Sequence, residues 1–286
     1  MDSWSIGKVL AWASQDLRER GSSSARLDAE LLLAQVLHCD RIKLITDSER
    51  PLEPAELAAY RELHKRRRRG EPVAYLRGER EFYGRSFLVD RRVLVPRPET
   101  ELLVDVALRR TRHLSLSARV VDLCTGSGCV AITLKKERPT TLVLAGDVSA
   151  DALAVAAANC ERLGALVGLF RSDLFEAFAS CRGKLDLVTA NPPYVPDEEM
   201  AALPRDVRDF EPRLALASGS DGLDLTRRIV AAAAEMLAPG GVLAIEVMAG
   251  SAEAVAELFA AAGLVDRAVE RDYGGHDRIV SGSRPA

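Results

Sequence analysis

The sequence predicts an α/β fold in which a mostly parallel sheet carries helices on both faces, preceded by a small N-terminal helical bundle and a connecting β-hairpin. Two observations support this prediction. Apolar residues recur at helical spacing as far as about residue 77, and from about residue 118 onward strand-like runs alternate with helical ones. Such alternation is typical of parallel strands joined by crossover helices.

The helical bundle is expected over residues 1–78. Ile6 and Val9 begin a first apolar stripe, residues 27–37 carry a stronger one, and Pro54 lies in the first turn of a third helix. The third helix ends in four arginines, Arg66 to Arg69. Cations there complement the helix dipole, as is typical of a solvated helix end, but the run also suits a contact with an acidic macromolecule. The sequence leaves both interpretations open.

A β-hairpin connector is expected over residues 79–98, because strand-like residues there alternate with turn signals. Pro96 and Pro98 stiffen its end, just before a helix that opens at about Thr100. Arg97 and Glu99 lie on this stiff segment. They either line a site or belong to an ordinary loop leading into the helix.

The third predicted domain, residues 99–286, contains the sheet. Its strands are expected at 118–123, 142–147, 166–170, 185–190, 242–248, 264–269 and 278–282. The intervening helices are expected at 130–137, 149–163, 223–237 and 252–262.

Composition limits the class of protein. The 286 residues are 48% hydrophobic and 28% charged, with a net charge of −3, which is typical of a soluble globular protein. We find no bilayer-spanning run and no signal peptide, so we expect a cytoplasmic protein. The five cysteines are scattered without metal-ligand spacing, so we expect reduced thiols and no metal. The acidic balance argues against stable binding to nucleic acid.

A glycine-rich turn follows the first strand of the sheet. Asp122 is followed two residues later by Cys124, Thr125, Gly126, Ser127 and Gly128. Glycines let the backbone approach a ligand closely, and the following helix offers unpaired N–H groups. The dinucleotide fingerprint would need a further glycine where the chain has Ala131, so a pyrophosphate is not clearly implied.

Two acidic residues end the next strands. Asp147 comes about twenty residues after the glycines, where a carboxylate is placed to accept ribose hydroxyls; otherwise it is a helix-capping residue before Ser149. Asp173 ends the third strand, where it either meets an adenine amino group or belongs to an ordinary turn. The fourth strand then ends at Asn191, so four neighbouring strand ends present Gly, Asp, Asp and Asn. This co-location is the informative signal.

The fourth strand runs into Asn191, Pro192, Pro193 and Tyr194. Each proline restricts the residue before it and cannot donate to a ladder, so the sheet should end in a stiff hook. The Asn191 side-chain oxygen and the Pro192 carbonyl are two acceptors suited to a planar –NH2 group, and Tyr194 adds a flat face. The hook therefore fits an amide or an amino-heterocycle, although Asn-Pro-Pro alone is equally an ordinary turn.

These motifs together resemble the class I S-adenosylmethionine-dependent methyltransferases that modify planar nitrogens, which have a Rossmann-like sheet. More narrowly, Val95-Pro-Arg-Pro-Glu-Thr-Glu, Glu81-Phe-Tyr-Gly, Asn191-Pro-Pro-Tyr-Val, Glu211-Pro-Arg-Leu-Ala-Leu and Asp221-Gly-Leu resemble the bacterial peptide chain release factor glutamine methyltransferase family, known as PrmC or HemK. The resemblance covers nearly the whole chain.

The resemblance implies methyl transfer to the glutamine amide of the Gly-Gly-Gln loop in class 1 release factors, with S-adenosylhomocysteine as the second product. The helical domain would dock this partner, and we expect a monomer. The implied cofactor-binding residues are Cys124, Thr125, Gly126, Ser127, Gly128, Asp147, Asp173, Leu174 and Asn191. The expected substrate-binding residues are Asn191, Pro192, Pro193, Tyr194, Arg97 and Glu99, and the expected catalytic ones are Asn191, Pro192 and Tyr194.

Two positions depart from the family pattern. Cys124 stands where the family usually has glycine, and we expect its side chain to point into the core rather than to crowd the cofactor. Leu174 stands where an aromatic residue is frequent, so its contact with adenine would be weaker. Three other functions fit the hook: glutamine methylation of a ribosomal protein, methylation of an exocyclic amine in nucleic acid, and a non-catalytic nucleoside-binding module.

Overall fold

Residues 4–113 and 117–286 are described by the computed structural model. Residues 1–3, at the start of the predicted bundle, and residues 114–116 lie outside the described part. The chain divides into two units: Met1–Glu79 with Pro204–Phe210, and Arg80–Leu203 with Glu211–Ala286. The first unit thus includes a short segment from late in the chain that the sequence did not assign to it.

The first unit is helical and has its own apolar core. Its helices are α1 Ile6–Glu19, α2 Ala25–Val36, α3 Arg41–Thr46, α4 Pro54–Arg68, α5 Val73–Arg77 and the short α9 Arg205–Arg208. Leu10, Leu32, Leu33 and Tyr60 are buried together in this core. The helical stripes predicted from the sequence therefore face one another inside this unit.

The arginines at the end of α4 are used within the first unit. Arg67 pairs with Asp28, and the nitrogen–oxygen distance is 2.8 Å. Both of these side chains are nearly buried. Arg66 pairs with Glu71 at 2.8 Å, and Arg68 contacts Asp16 at 3.1 Å. Three of the four arginines thus have acidic partners of their own, which favours the helix-end interpretation for them.

The second unit contains the sheet, its flanking helices and the hairpin, apart from the first hairpin residue, Glu79. The strands are β1 Glu79–Phe82, β2 Arg85–Leu88, β3 Arg119–Leu123, β4 Leu142–Asp147, β5 Gly168–Arg171, β6 Leu185–Ala190, β7 Leu237–Glu246, β8 Val265–Arg271 and β9 Asp277–Ser283. The helices are α6 Glu99–Arg110, α7 Cys129–Glu137, α8 Ala150–Leu163, α10 Asp224–Met236 and α11 Ala252–Ala261.

Seven strands form one sheet in the order β5-β4-β3-β6-β7-β9-β8. The five strands from β5 to β7 pair in parallel, and β9 runs antiparallel between β7 and β8. Successive residues of β3 face opposite sides, so Val121 joins one core cluster with α10 and α11, and Val120 joins another with α6 and α7. The predicted α/β sheet with helices on both faces and a preceding hairpin is confirmed.

The start of β7 differs from the prediction. The strand begins at Leu237 and runs through Pro239, where the sequence indicated a strand beginning at residue 242. Leu185 pairs with Leu237, and the register then shifts before Leu187. A Cβ on Gly241 would lie 2.5 Å from the Leu185 carbonyl oxygen. The Pro-Gly-Gly segment is thus a strand whose glycine permits close approach to β6.

Candidate active site

An open cleft lies at the carboxyl ends of strands β3 to β6. It holds about 740 Å³ of empty space, its open mouth included, which is within the range of small-molecule sites. Gly126, Asp147, Asp173, Leu174 and Pro193 are among the residues that line it. Four neighbouring strand ends therefore contribute to one site.

The register of the sheet explains why these residues meet. Leu123, the last residue of β3, pairs with Gly146 of β4 and with Ala190 of β6. Asp147 and Asn191 directly follow these two partners. The glycine-rich turn after β3 is therefore flanked by the acid on one side and by Asn191 on the other.

Two glycines shape this turn. Gly126 and Gly128 have φ angles of 55° and 80°, in the left-handed region that side chains disfavour. A Cβ on Gly128 would lie 3.0 Å from Ile132 Cδ1 and 3.3 Å from Ala156 Cβ, because α7 and α8 approach it closely. A Cβ on Gly126 would meet nothing within 4 Å. Gly126 therefore adopts its turn conformation while leaving its backbone open to a ligand.

Asp122 ties this turn to the sheet. Its buried carboxylate accepts hydrogen bonds from Thr125 Oγ1 at 2.6 Å and from Thr189 Oγ1 at 2.7 Å. Burial raises the pKa of Asp122 to about 6, although these hydrogen bonds act in the opposite direction. The Thr125 hydroxyl is thus committed to structure. Asp122 thus ties the turn that follows β3 to the neighbouring strand β6.

Asp147 joins the turn to the start of α8. Its Oδ2 accepts from the Gly126 N–H at 2.9 Å, and its Oδ1 accepts from the Ser149 N–H at 2.9 Å. Burial raises the pKa of Asp147, and its backbone hydrogen bonds oppose this rise. The Val148 N–H also acts on this carboxylate, so three backbone N–H groups share its acceptor sites. Asp147 can therefore hold the turn and still accept a ligand hydroxyl.

Cys124 and Leu174 are lining residues with unusual backbone conformations. Their φ angles are 53° and 49°, in the left-handed region. Cys124 lines the cleft and also packs against the core cluster around Val121. Burial raises the pKa of the Cys124 thiol, so it stays neutral. The left-handed backbone explains why a glycine would suit this position.

Asp173 is engaged in an ion pair at the rim of the cleft. Its Oδ2 accepts a hydrogen bond from Arg228 Nη2 of α10 at 2.8 Å, and both side chains are about half exposed. This pair uses one carboxylate oxygen. Oδ1 remains as the acceptor that the predicted contact with an adenine amino group would need.

Asn191 to Tyr194 form the predicted hook, and a later segment of the chain braces it. The Val195 N–H donates to the Leu216 carbonyl at 2.8 Å, and the Val195 carbonyl accepts from the Ser218 N–H at 3.0 Å. A Cβ on Gly222 would lie 2.3 Å from the Tyr194 carbonyl oxygen, so only glycine fits there. The hook is therefore held from outside the sheet.

The side-chain amide of Asn191 is anchored at one end. Its Nδ2 donates to Thr100 Oγ1, a buried hydroxyl in the first turn of α6, over 3.2 Å. This contact commits the donor end of the amide to the protein. The acceptor Oδ1 is the end that the predicted substrate contact would use.

The stiff segment before α6 is fixed by Glu211. This buried carboxylate accepts from Arg97 Nη2 at 2.6 Å and from the Val95 N–H at 3.4 Å. Residues from two motifs more than a hundred positions apart are thereby joined. Arg97 is thus committed to Glu211.

Some of the predicted site residues line the cleft and others do not. Of those expected to hold a cofactor, the ones that line the cleft are Cys124, Gly126, Asp147, Asp173 and Leu174. Thr125 and Ser127 are buried behind this lining with Gly128. Of those expected to hold the substrate, Pro193 lines the cleft, and Asn191, Pro192 and Tyr194 adjoin it in sequence. Arg97 and Glu99 lie at the start of α6. The functional roles of all these residues stay predictions.

Sequence reasoning gave no role to Thr100, Glu211 or Glu246. Thr100 and Glu211 lie inside motifs that the sequence singled out, so a signal existed for both. Glu246 is buried at the end of β7, inside an otherwise apolar run. An acidic residue in such a strand is itself a signal of a specific role, because burying a charge costs free energy unless the group is paired or hydrogen-bonded.

No described helix is long and apolar enough to cross a membrane. Within residues 4–113 and 117–286, no group of three or more His, Cys, Asp or Glu side chains is arranged to hold a metal ion.

Comparison with known proteins decides the family. The chain matches the PrmC N-terminal domain over residues 8–78 and the methyltransferase small domain over residues 98–205. It is 45% identical to the release factor glutamine methyltransferase of Geobacter sulfurreducens over 279 residues, which cover 98% of this chain and 96% of the relative. The chain belongs to the release factor glutamine methyltransferase family.

Further comparisons agree with this membership. Another member, the release factor glutamine methyltransferase of Rhodopirellula baltica, is 42% identical over 286 residues, with 97% of this chain and 96% of the relative covered. Among solved structures, the hMettl16 catalytic domain in complex with the MAT2A 3′UTR hairpin 1 superposes with a TM-score of 0.57. The two are 16% identical, and the match covers 81% of this chain and 80% of that one. At this identity the likeness concerns the fold alone.

Proposed function

We propose that this protein transfers a methyl group from S-adenosylmethionine to the side-chain amide nitrogen of the glutamine in the Gly-Gly-Gln loop of class 1 peptide chain release factors. The observation that carries the proposal is the Asn191 hook beside the cleft. In a chain of this family, the hook presents an anchored amide next to the glycine-rich turn, and Pro193 of the hook lines the same cleft.

The residues of the cleft fit the cofactor. Asp147 retains an acceptor site suited to a ribose hydroxyl, and Gly126 leaves room for close approach to the backbone. Asp173 Oδ1 and Leu174 would meet the adenine. When bound, S-adenosylmethionine supplies a methyl group activated by its sulfonium.

The chain contributes orientation and electrostatics to the reaction. An amide nitrogen is a poor nucleophile because its lone pair is delocalised into the carbonyl. Asn191 Oδ1 and the Pro192 carbonyl would each accept one hydrogen of the substrate amide. Two fixed acceptors turn the nitrogen toward the methyl donor and stabilise the positive charge that develops on it. Burial raises the pKa of Tyr194, so its ring stays neutral and offers a flat wall to the planar amide.

We also propose that the helical first unit docks the release factor, with the hairpin setting the distance to the site. Two isoleucines of α3, Ile42 and Ile45, are 74% and 67% exposed, which suits a partner contact. Replacing both by aspartate is expected to raise the KM for an intact release factor by about tenfold. The same change should leave methylation of a short Gly-Gly-Gln peptide unaltered. An unaltered KM for the intact factor would contradict the docking role.

The experiment that tests the reaction is methyl transfer to a panel of acceptors. Purified release factor, ribosomal protein and DNA are incubated with the enzyme and S-adenosylmethionine carrying a tritiated methyl group. We expect label on the release factor, and mass spectrometry should place it on the glutamine of the Gly-Gly-Gln loop. Label on the ribosomal protein or the DNA alone would overturn the proposed substrate. No transfer to any of the three would contradict the proposed activity. Because the expected partner is a translation factor, we propose that the reaction takes place in the cytoplasm. We also propose that the enzyme acts as a monomer.

A further inference from the structure

A buried acid lies behind the Asn191 hook. Glu246 is the last residue of β7 and is 1% exposed. Ala190 of β6 pairs with Ile245 of β7, so Asn191 and Glu246 follow paired residues at the same edge of the sheet. The Thr100 hydroxyl accepts from Asn191 Nδ2 and also acts on the Glu246 carboxyl, whose pKa it lowers as a hydrogen-bond partner. Its second oxygen, Oε2, has no hydrogen-bond partner among the described residues. Three side chains from β7, α6 and the hook thus form a chain: Glu246, Thr100 and Asn191.

The hydrogen-bond directions in this chain follow from simple chemistry. An ionised carboxylate only accepts, so the single hydroxyl hydrogen of Thr100 must point toward Glu246. The Thr100 oxygen is then left to accept, which requires a donor from Asn191. Asn191 must therefore turn its –NH2 end to Thr100 and its Oδ1 end away. With a neutral, donating group in place of Glu246, the hydroxyl is free to point the other way, and the amide is free to flip.

We propose that Glu246 is a positioning residue that, through Thr100, holds the Asn191 side chain with Oδ1 presented to the substrate amide. The inference rests on the proposed function, in which Oδ1 accepts a hydrogen from the reacting nitrogen. An amide flipped by 180° would present two donors to a substrate that itself donates, so the hook would repel its substrate at that point.

Several neighbouring polar and charged groups influence the pKa of the Glu246 carboxyl. Thr100, Glu99 and Arg97 approach from the start of α6, Arg278 from β9, Tyr194 from the hook and Cys129 from the first turn of α7. Burial raises the pKa of Glu246 to about 7, against the effects of the Thr100 hydroxyl and the two arginines. Below that pH the carboxyl gains a proton and becomes a donor. The transfer rate should therefore fall as the pH falls through about 7.

The test compares variants of the full-length chain in single-turnover methyl transfer. Glu246→Met and Thr100→Val each remove one link. Each is expected to lower the single-turnover rate constant by about 10- to 100-fold, by analogy with the groups that orient metal ligands. Thr100→Ser keeps the hydroxyl and should restore most of the rate lost in Thr100→Val. Glu246→Gln keeps the size of the side chain but does not titrate, so the fall in rate below pH 7 should disappear. The affinity for S-adenosylmethionine, measured by calorimetry, should stay unchanged in all four.

A matched control is available in α7. Thr133 is also a fully buried threonine, and its Oγ1 has no hydrogen-bond partner among the described residues. Thr133→Val makes the same change as Thr100→Val outside the chain of three side chains, and we expect a wild-type transfer rate. Thermal unfolding of each variant confirms that the fold is retained.

A second readout does not depend on the substrate. In wild-type protein the Asn191 side-chain amide hydrogen that is bonded to Thr100, followed by 15N NMR, should be protected from exchange, and Thr100→Val and Glu246→Met should remove this protection. Wild-type rates in both variants, or unchanged protection, would overturn the inference. A wild-type enzyme that fails to methylate the release factor would instead overturn the proposed function, and the exchange experiment would still decide the role of Glu246.

Discussion

At the scale of single residues, the cleft depends on backbone conformations that side chains disfavour. Cys124 adopts the left-handed region in a turn where Gly126 and Gly128 do so as well. The sequence predicted a turn here because of its glycines. It did not show that Cys124 itself adopts the left-handed conformation, since a left-handed non-glycine residue leaves no mark in composition or spacing. The expectation that Cys124 points into the core rather than crowding the cofactor stays a prediction, although its side chain touches both core and cleft.

Two substitutions at Cys124 separate backbone strain from side-chain volume. Cys124→Val introduces a β-branched residue at a φ of 53°, which should lower the free energy of unfolding by about 1–3 kcal/mol. Cys124→Gly relieves the strain and should keep both the stability and the affinity for S-adenosylmethionine near wild-type values. Urea unfolding and calorimetry measure the two quantities. Equal stability of the two variants would show that the left-handed backbone is not maintained in solution.

At the scale of elements, the stiff segment before α6 is organised by a residue far along the chain. Glu211 joins the Val95 N–H and the Arg97 guanidinium, and α6 then brings Thr100 beside Asn191. The sequence identified each motif separately. The contacts between them were not predictable, because a spacing of more than a hundred residues carries no information about which side chains meet.

Glu211→Ala is expected to loosen this segment. The change leaves a buried backbone donor and an arginine without their acceptor, so the free energy of unfolding should fall by about 1–3 kcal/mol. Methyl transfer should fall as well, because Thr100 is held less firmly against Asn191, whereas cofactor affinity should persist. Asp197→Ala is the control, since it breaks the exposed ion pair with Arg213 and should change stability by less than about 1 kcal/mol. If both variants unfold like the wild type, Glu211 does not organise the segment.

Within the sheet, some strands were predictable from the sequence and the start of one was not. Strands β3, β4 and β6 were predictable because buried parallel strands are continuous apolar runs bounded by turn residues. The start of β7 was not, because Pro239 and the following glycines resemble a turn. There the close approach to Leu185 requires a glycine within a strand. Local preference was overridden by packing between neighbouring strands.

At the scale of the whole molecule, two buried acids make stability depend on pH. Burial raises the pKa of Asp122 to about 6 and that of Glu246 to about 7, above the values expected in the unfolded chain. Between about pH 4 and pH 7 the folded state therefore holds protons that the unfolded state has released. The free energy of unfolding contributed by these groups is highest at low pH and decreases as the pH rises through this window.

Glu246→Gln should remove its share of this dependence. From the displacement of its pKa, the share amounts to at most about 3 kcal/mol. The difference in unfolding free energy between the variant and the wild type should therefore shift in favour of the variant as the pH rises from 4 to 7. Urea unfolding at several pH values measures it. A difference that is constant with pH would mean that Glu246 titrates normally in the folded protein.

The direct measurement of the central claim is the comparison of Asn191→Ala with Asp147→Ala. Asn191→Ala removes an acceptor that acts on the reacting amide, so it should cost about 2–4 kcal/mol of transition-state stabilisation while cofactor affinity stays near wild type. Asp147→Ala should instead weaken binding of S-adenosylmethionine in calorimetry. Methyl transfer by Asn191→Ala at a near wild-type rate would contradict the account, because the reacting nitrogen would then not be held by that side-chain oxygen.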